Sequence, residues 1–129
     1  MKWSTTALLL TALVPAQAVR LRIAIQDENA KPVAARVYLA DQRGEPVFPP
    51  NTIHYEKVRS DGIGERHFVP SGGAFVVDLA AGRYQLNVER GKEYLPQTLR
   101  ISVPSSGEVR RTVRLRRWVD MPRRGWFPG

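Results

Sequence analysis

The sequence predicts an all-β fold, a single sandwich of about seven strands. Three observations point there. From Val19 onward apolar residues recur at every second position, which is the period of a strand with one buried face. Clusters of Gly, Pro, Asn, Asp and Ser interrupt these runs roughly every eight to thirteen residues. No segment carries a helical period, which sets the chain apart from βαβ architectures.

The elements follow in order. In "VRLRIAI", Leu21, Ile23 and Ile25 alternate with Arg20, Arg22 and Ala24, so the first strand buries one face. "DENAKP" breaks it with turn residues. A second strand, "AARVYLA" over 34–40, places Val37 and Leu39 inward. "DQRGEP" turns next, and Gly44 suits a positive φ there. "VFPPNT" is not a central strand, because Pro49 and Pro50 remove two ladder donors. Short strands are expected over 54–58 and 65–69, with a Gly-rich loop between them.

The second half is more regular. "AFVVDL" sets Phe75, Val77 and Leu79 on one face, and "YQLNVE" sets Tyr84, Leu86 and Val88 inward. "AAGR" between them reads as a tight turn with Gly82 in the left-handed position, which predicts a hairpin. "RGKEYLP" turns again. "QTLRISV" then carries Leu99, Ile101 and Val103, and "EVRRTVRLRR" carries Val109, Val113 and Leu115. After Arg117 the alternation ends. "WVDMPRRGWFPG" is broken by proline and glycine yet stays apolar. A flexible linker would be polar and Gly/Ser-rich, so residues 118–129 read as a strap that packs onto another surface.

Residues 1–18, "MKWSTTALLLTALVPAQA", have the layout of a secretory signal. Lys2 precedes an apolar run, and Ala16 and Ala18 form the expected cleavage pattern. The run is too short to span a bilayer, which takes about twenty residues. Residues 19–117 would then be the sandwich, exported to a bacterial periplasm or exterior, with no membrane anchor after cleavage. The 129 residues suit one domain. With no cysteine, a disulfide scaffold, a thiol nucleophile and thiolate metal sites are excluded.

The formal charge of +8 raises nucleic-acid binding, but the positions argue against it. The arginines alternate with aliphatics along strands, with no aromatic-interleaved basic stripe and no nucleic-acid motif. A solvated sheet face with weak attraction for anionic envelope components fits better. His54 and His67 are the two histidines, with Asp61 and Glu65 nearby, but no compact ligand spacing joins them. A loop histidine and a strand histidine with a structural hydrogen bond is the plainer expectation. Ser60, Asp61 and His67 supply the residue types of a triad without a nucleophile elbow. "GGAF" lacks the helix of a phosphate loop. No catalytic, cofactor-binding or metal-ligating residue is therefore assigned.

The residues that ask for a partner lie elsewhere. "ERGKEY" is dense in charge, with Arg90 offering a planar fork and Tyr94 an amphipathic ring. Trp118 follows the last strand closely. Trp126 and Phe127 lie beyond a proline and two arginines, where a small core is not expected to reach. These five residues are the candidate domain interface.

Several stretches together, "AARVYLAD", "AGRYQLNVERGKEYLP" and "LRRWVDMPRRGWFPG", resemble the N-terminal region of the CehA/McbA family of metallohydrolases, whose catalytic domain is of the PHP type. Arg117, Trp118, Asp120 and Met121 match that family's Arg-Trp-x-Asp-Met segment. Gly125, Trp126, Phe127 and Gly129 match its Gly-Trp-aromatic-x-Gly segment. The resemblance implies a sandwich of the transthyretin or carboxypeptidase-regulatory kind. It also implies a catalytic domain after Gly129, opening on an Asp-x-His-x-His motif that holds a divalent metal. None of those ligands is in this sequence. The expected role is therefore a non-catalytic accessory domain, with a covalently following hydrolase domain as its partner. The alternative is a free-standing exported module that binds an anionic surface, a glycan or a peptide.

Overall fold

The computed structural model describes residues 17–62 and 64–127. Ala16 and the rest of the expected export signal before it lie outside the described residues; Ala18 is exposed immediately before the first strand. The fold is an all-β sandwich of eight strands rather than about seven. They are β1 Val19–Gln26, β2 Arg36–Asp41, β3 Ile53–Val58, β4 Gly64–Val69, β5 Ala74–Leu79, β6 Gly82–Glu89, β7 Gln97–Val103 and β8 Glu108–Arg114.

A three-stranded sheet in the order β5-β1-β8 faces a five-stranded sheet in the order β3-β4-β2-β6-β7. β1 is central in the small sheet, antiparallel to β5 and parallel to β8. The alternation of the sequence appears directly as burial. Leu21, Ile23 and Ile25 of β1 meet Val37, Leu39, Leu86, Val88, Ile101 and Val103 of the large sheet in one core. Phe75, Val77, Leu79, Val109, Val113 and Leu115 complete it, while Tyr84 and Leu99 pack at its margin, half-buried. Phe68, unassigned from the sequence, is fully buried and meets Phe75 edge to face at 4.9 Å.

The expected β5–β6 hairpin does not form. β5 pairs with β1 and β6 pairs with β2 and β7, so Ala80 and Ala81 carry the chain from one sheet to the other. Gly82 does take a positive φ, 154°, but in no hairpin turn: it opens β6, opposite Val103. The Tyr84 hydroxyl donates to the Ala80 carbonyl at 2.8 Å. A tyrosine at the start of a strand, bonded back over such a corner, fixes an inter-sheet crossing. The hairpins present are β3–β4 and β6–β7.

Two loops repeat one design that the sequence reading overlooked. In "DENAKPV" the Asp27 carboxylate accepts the Asn29 and Lys31 amides, and in "DQRGEPV" Asp41 accepts those of Arg43 and Glu45. Each aspartate's backbone N–H then donates four residues on, and its carbonyl accepts from Ala30 or Gly44. Gly44 has φ 80° and Ala30 has φ 61°. The left-handed region costs a residue with a Cβ about 1–2 kcal/mol, so the first loop holds strain that the second avoids. Gly73 (φ 72°) is also irreplaceable, since a Cβ there would lie 2.7 Å from the Val33 carbonyl oxygen.

Ala30→Gly is expected to raise unfolding free energy by up to about 1 kcal/mol in urea titrations, once glycine's extra unfolded-state entropy is set against the relief. A loss of stability would show that the loop is unstrained. Tyr84→Phe should cost about 1 kcal/mol, the net worth of one hydrogen bond, and an unchanged midpoint would mean the corner holds without it.

Candidate functional site

The β6–β7 loop, residues 90–96, and the segment after β8 meet at one end of the sandwich. Their backbones join first. Leu95 N–H donates to the Arg116 carbonyl and Trp118 N–H to that of Glu93, so Tyr94 and Arg117 form an antiparallel bridge. Tyr94 is then 7% exposed. Two guanidinium groups lie over its ring, Arg117 at 5.1 Å and Arg90 at 5.7 Å from the centroid. Arg117 also donates to the Tyr94 hydroxyl at 2.7 Å. It reaches Glu28 of the β1–β2 loop at 3.7 Å and Asp120 at 3.4 Å. Arg90 in turn donates to the Ala34 carbonyl.

The strap continues from this clamp. Met121 N–H donates to the Glu93 carboxylate at 3.1 Å. A single 3-10 turn, Pro122–Arg124, follows, and Trp126 N–H returns to the Met121 carbonyl. The Trp118 indole N–H donates to the Lys92 carbonyl at 2.6 Å. Between loop and strap lies a cleft of about 480 Å³, lined by Arg90, Tyr94, Arg117, Met121, Trp126 and Phe127 among others. Four of the five candidate interface residues thus line one cleft, and the fifth, Trp118, is bonded to the loop beside it. Tyr94 is spent inside the chain. Trp118, Trp126 and Phe127 stay 64%, 67% and 77% exposed. Sequence reasoning missed Glu28, and it named Arg117 and the loop that holds Glu93 without joining them, because only long-range register brings them together.

The histidines make no common site. Both lie in strands, so His54 is not in a loop. His54 pairs with Phe68 and Tyr55 with His67, so the two imidazoles point to opposite faces of the sheet. His54 stacks on Phe48 at 4.6 Å, with Nε2 3.3 Å from the Pro49 carbonyl oxygen. His67 is 8% exposed beneath Tyr55 and Tyr38, with ring centroids 4.9 and 5.5 Å away. Its Nδ1 is 3.3 Å from a Glu65 oxygen yet has no hydrogen-bond geometry to any described residue. That Glu65 oxygen is taken by Arg36 at 3.2 Å and the Tyr38 hydroxyl at 3.4 Å. Ser60 and Asp61 sit in the β3–β4 turn beyond the Val58–Gly64 pair, which is itself about 10 Å along the strand from His67 at 3.3 Å per residue. Among the described residues no three His, Asp or Glu side chains come together as a metal site, and no helix is long and apolar enough to cross a membrane.

No protein-family model matches the chain, and no curated protein does. Solved structures resemble its fold. The minor pilin GBS52 of Streptococcus agalactiae superposes with a TM-score of 0.58 at 20% identity, over 88% of this chain and 48% of that one. The major pilin subunit BcpA of Bacillus cereus gives 0.53 at 16% identity, over 77% and 29%. Catechol 1,2-dioxygenase of Pseudomonas arvilla gives 0.50 at 11% identity, over 83% and 54%. The chain thus spans about half or less of the pilin structures it matches. One sandwich serves both pilins and an enzyme, so the fold leaves function to particular sites.

Burial, reinforced by the Arg36 guanidinium and opposed by Glu65 and Glu89, holds the His67 imidazole below its usual range. The unfolded chain then takes up this proton first as the pH falls. The stability His67 contributes is complete above about pH 6.5 and drains away below it, towards the lower folded-state value. Denaturation between about pH 5 and 7.5 should show this slope, and His67→Gln should flatten it. An equal slope in both proteins would assign the effect to another group.

Proposed function

We propose that this chain is a non-catalytic β-sandwich module of an exported protein, and that its loop–strap end packs against a neighbouring domain. The carrying observation is the set of exposed rings of Trp118, Trp126 and Phe127 around a cleft whose backbone is already fixed. Exposed aromatics gathered in one patch mark an interaction surface, and tryptophan is a favoured anchor at such surfaces. The cations Lys92, Arg116 and Arg124 surround them without an ion-pair partner among the described residues, so the partner face is apolar with an acidic rim.

The resemblance to CehA/McbA metallohydrolases supplies the identity of that neighbour: a metal-dependent hydrolase domain following Gly129. Of the first matching segment, Arg117, Trp118 and Met121 bind strap to loop, while Asp120 holds Arg117 and Arg123 within the strap. In this reading the sandwich scaffolds the strap, and the strap presents its aromatics to the hydrolase. The divalent metal and the chemistry belong to the hydrolase domain. The matched pilin structures, of which this sandwich spans only a part, support the reading as a module within a longer chain.

Two measurements test this. Reading the source locus past codon 129 should reveal an open frame entering Asp-x-His-x-His, and an immediate stop codon would end the hydrolase reading. Trp3→Phe with Trp118→Phe leaves Trp126 as the sole tryptophan. In the isolated chain its emission should be that of a solvated indole, freely quenched by acrylamide. In the longer protein it should be blue-shifted and shielded. Shielding in the isolated chain would remove the basis for a docking partner.

A further inference from the structure

The outer face of the five-stranded sheet carries a second concavity, apart from the loop–strap end. We propose that this groove binds an acidic oligosaccharide, a run of pyranose rings bearing carboxylates. The inference stands independently of the docking reading and concerns a different surface.

The groove encloses about 660 Å³. Its lining follows from strand register. Tyr38 lies opposite Asn87, and Asn87 opposite Thr98. Two positions along, Ala40 lies opposite Gln85, and Gln85 opposite Arg100. Arg83 and Ser102 form the next pair. All these positions alternate with the buried Leu39, Leu86, Val88, Ile101 and Val103, so they share the outward face.

The chemistry of this surface is selective. Gln85 and Asn87 each present a donor and an acceptor side by side, which suits vicinal sugar hydroxyls, and Ser102 adds a hydroxyl. Ala40 leaves room over the sheet. Tyr38, half-buried with its hydroxyl bonded to Glu65, adds an aromatic ring to the wall for a sugar's apolar C–H side. Arg83 and Arg100 have no ion-pair partner among the described residues. The acidic side chains near the groove are engaged or lie at its Tyr38 end: Asp41 is turned into its own loop, accepting the Arg43 and Glu45 amides, Glu65 pairs with Arg36, and Glu89 lies opposite Arg36, beyond Asn87 and away from Arg83 and Arg100. Two unmatched guanidinium forks beside neutral amides call for carboxylates on an otherwise hydroxyl-rich ligand.

The outer face of the three-stranded sheet provides the contrast. There Arg20 pairs with Asp78, and Arg22 and Arg110 both pair with Glu108, which leaves Arg114 at the strand end as the unmatched arginine of that face among the described residues. A peptide would want apolar anchor pockets, and a single-stranded nucleic acid a series of stacking rings. The groove offers neither.

The test is a titration of the isotope-labelled chain, followed by amide chemical shifts. The probes are hexamers of galacturonate, mannuronate and hyaluronan, with cellohexaose as the neutral control and hexaglutamate as the polyanion control. At least one uronate hexamer should shift the amides of Gln85, Asn87 and Arg100. Tyr38→Ala and Arg100→Ala should each weaken binding about tenfold, with Arg83→Gln as a second, milder variant. Trp126→Ala should leave binding unchanged, which separates this site from the docking surface. No uronate binding, or shifts centred on the strap, would overturn the proposal. So would equal binding of hexaglutamate, which would reduce the effect to charge, or of cellohexaose, which would leave the arginines no role.

Discussion

The chain changes sheet four times, between β1 and β2, β4 and β5, β5 and β6, and β7 and β8. The structure depends on these crossings. A hairpin satisfies its backbone groups by pairing with itself. A crossing leaves the edge of one ladder before it joins the next, and its polar groups must be met by other means. In three of the four the means is specific. The Asp27 carboxylate collects two amides in the first crossing, Gly73 lets the β4–β5 turn press against Val33, and the Tyr84 hydroxyl spans the β5–β6 corner. β1 can then sit between β5 and β8, with the whole large sheet beneath it.

The crossings also build the candidate interface. Because β1 and β8 run parallel, the β1–β2 loop and the chain leaving β8 emerge at the same end of the sandwich. The β6–β7 loop arrives there from the other sheet. Arg117 ties the three together, holding Glu28 from the first, Asp120 from the second and the Tyr94 hydroxyl from the third. An antiparallel β8 would have sent the strap to the far end. The site is therefore a consequence of topology, realised by one guanidinium with enough donors to serve three loops.

What the sequence revealed divides along the same line. Period-two alternation located β1, β5 and β7 almost to the residue, and named inward positions that all lie in or against the core. That information is local, carried by side chains alternating about a strand. Partner choice is not local. "AAGR" has the composition of a hairpin turn, and nothing within it distinguishes a turn that reverses a strand from one that leaves the sheet. The distinguishing signal was Tyr84, two residues after Gly82, but it reads as a corner only once the two sheets are known. Phe68 was obscured by its neighbour: His67 and Phe68 are both buried, on opposite faces of β4, so the strand lacks a polar side to its pattern. Trp118, Trp126 and Phe127 could be chosen from the sequence because large aromatics stand out in a tail broken by proline and glycine, and Arg90 and Tyr94 because their loop is dense in charge. Their clamp could not, since Tyr94 and Arg117 are brought together by register alone.

The exposure of Trp118, Trp126 and Phe127 is not a by-product of a loose segment. The amides of Trp118, Met121 and Trp126 are all hydrogen-bonded, the first two to the β6–β7 loop. The Trp118 indole is oriented as well, through Lys92. The strap's backbone is thus bound to the sandwich while its largest apolar side chains are turned away from the core. Ordering a loop and its side chains is a principal cost of association, and here much of it is met during folding. A surface that carries that cost beforehand, and leaves apolar rings in water to do so, has the properties that the proposed docking of a neighbouring domain requires. The same reasoning separates it from the groove on the large sheet, where the exposed groups are polar and lose little by facing water.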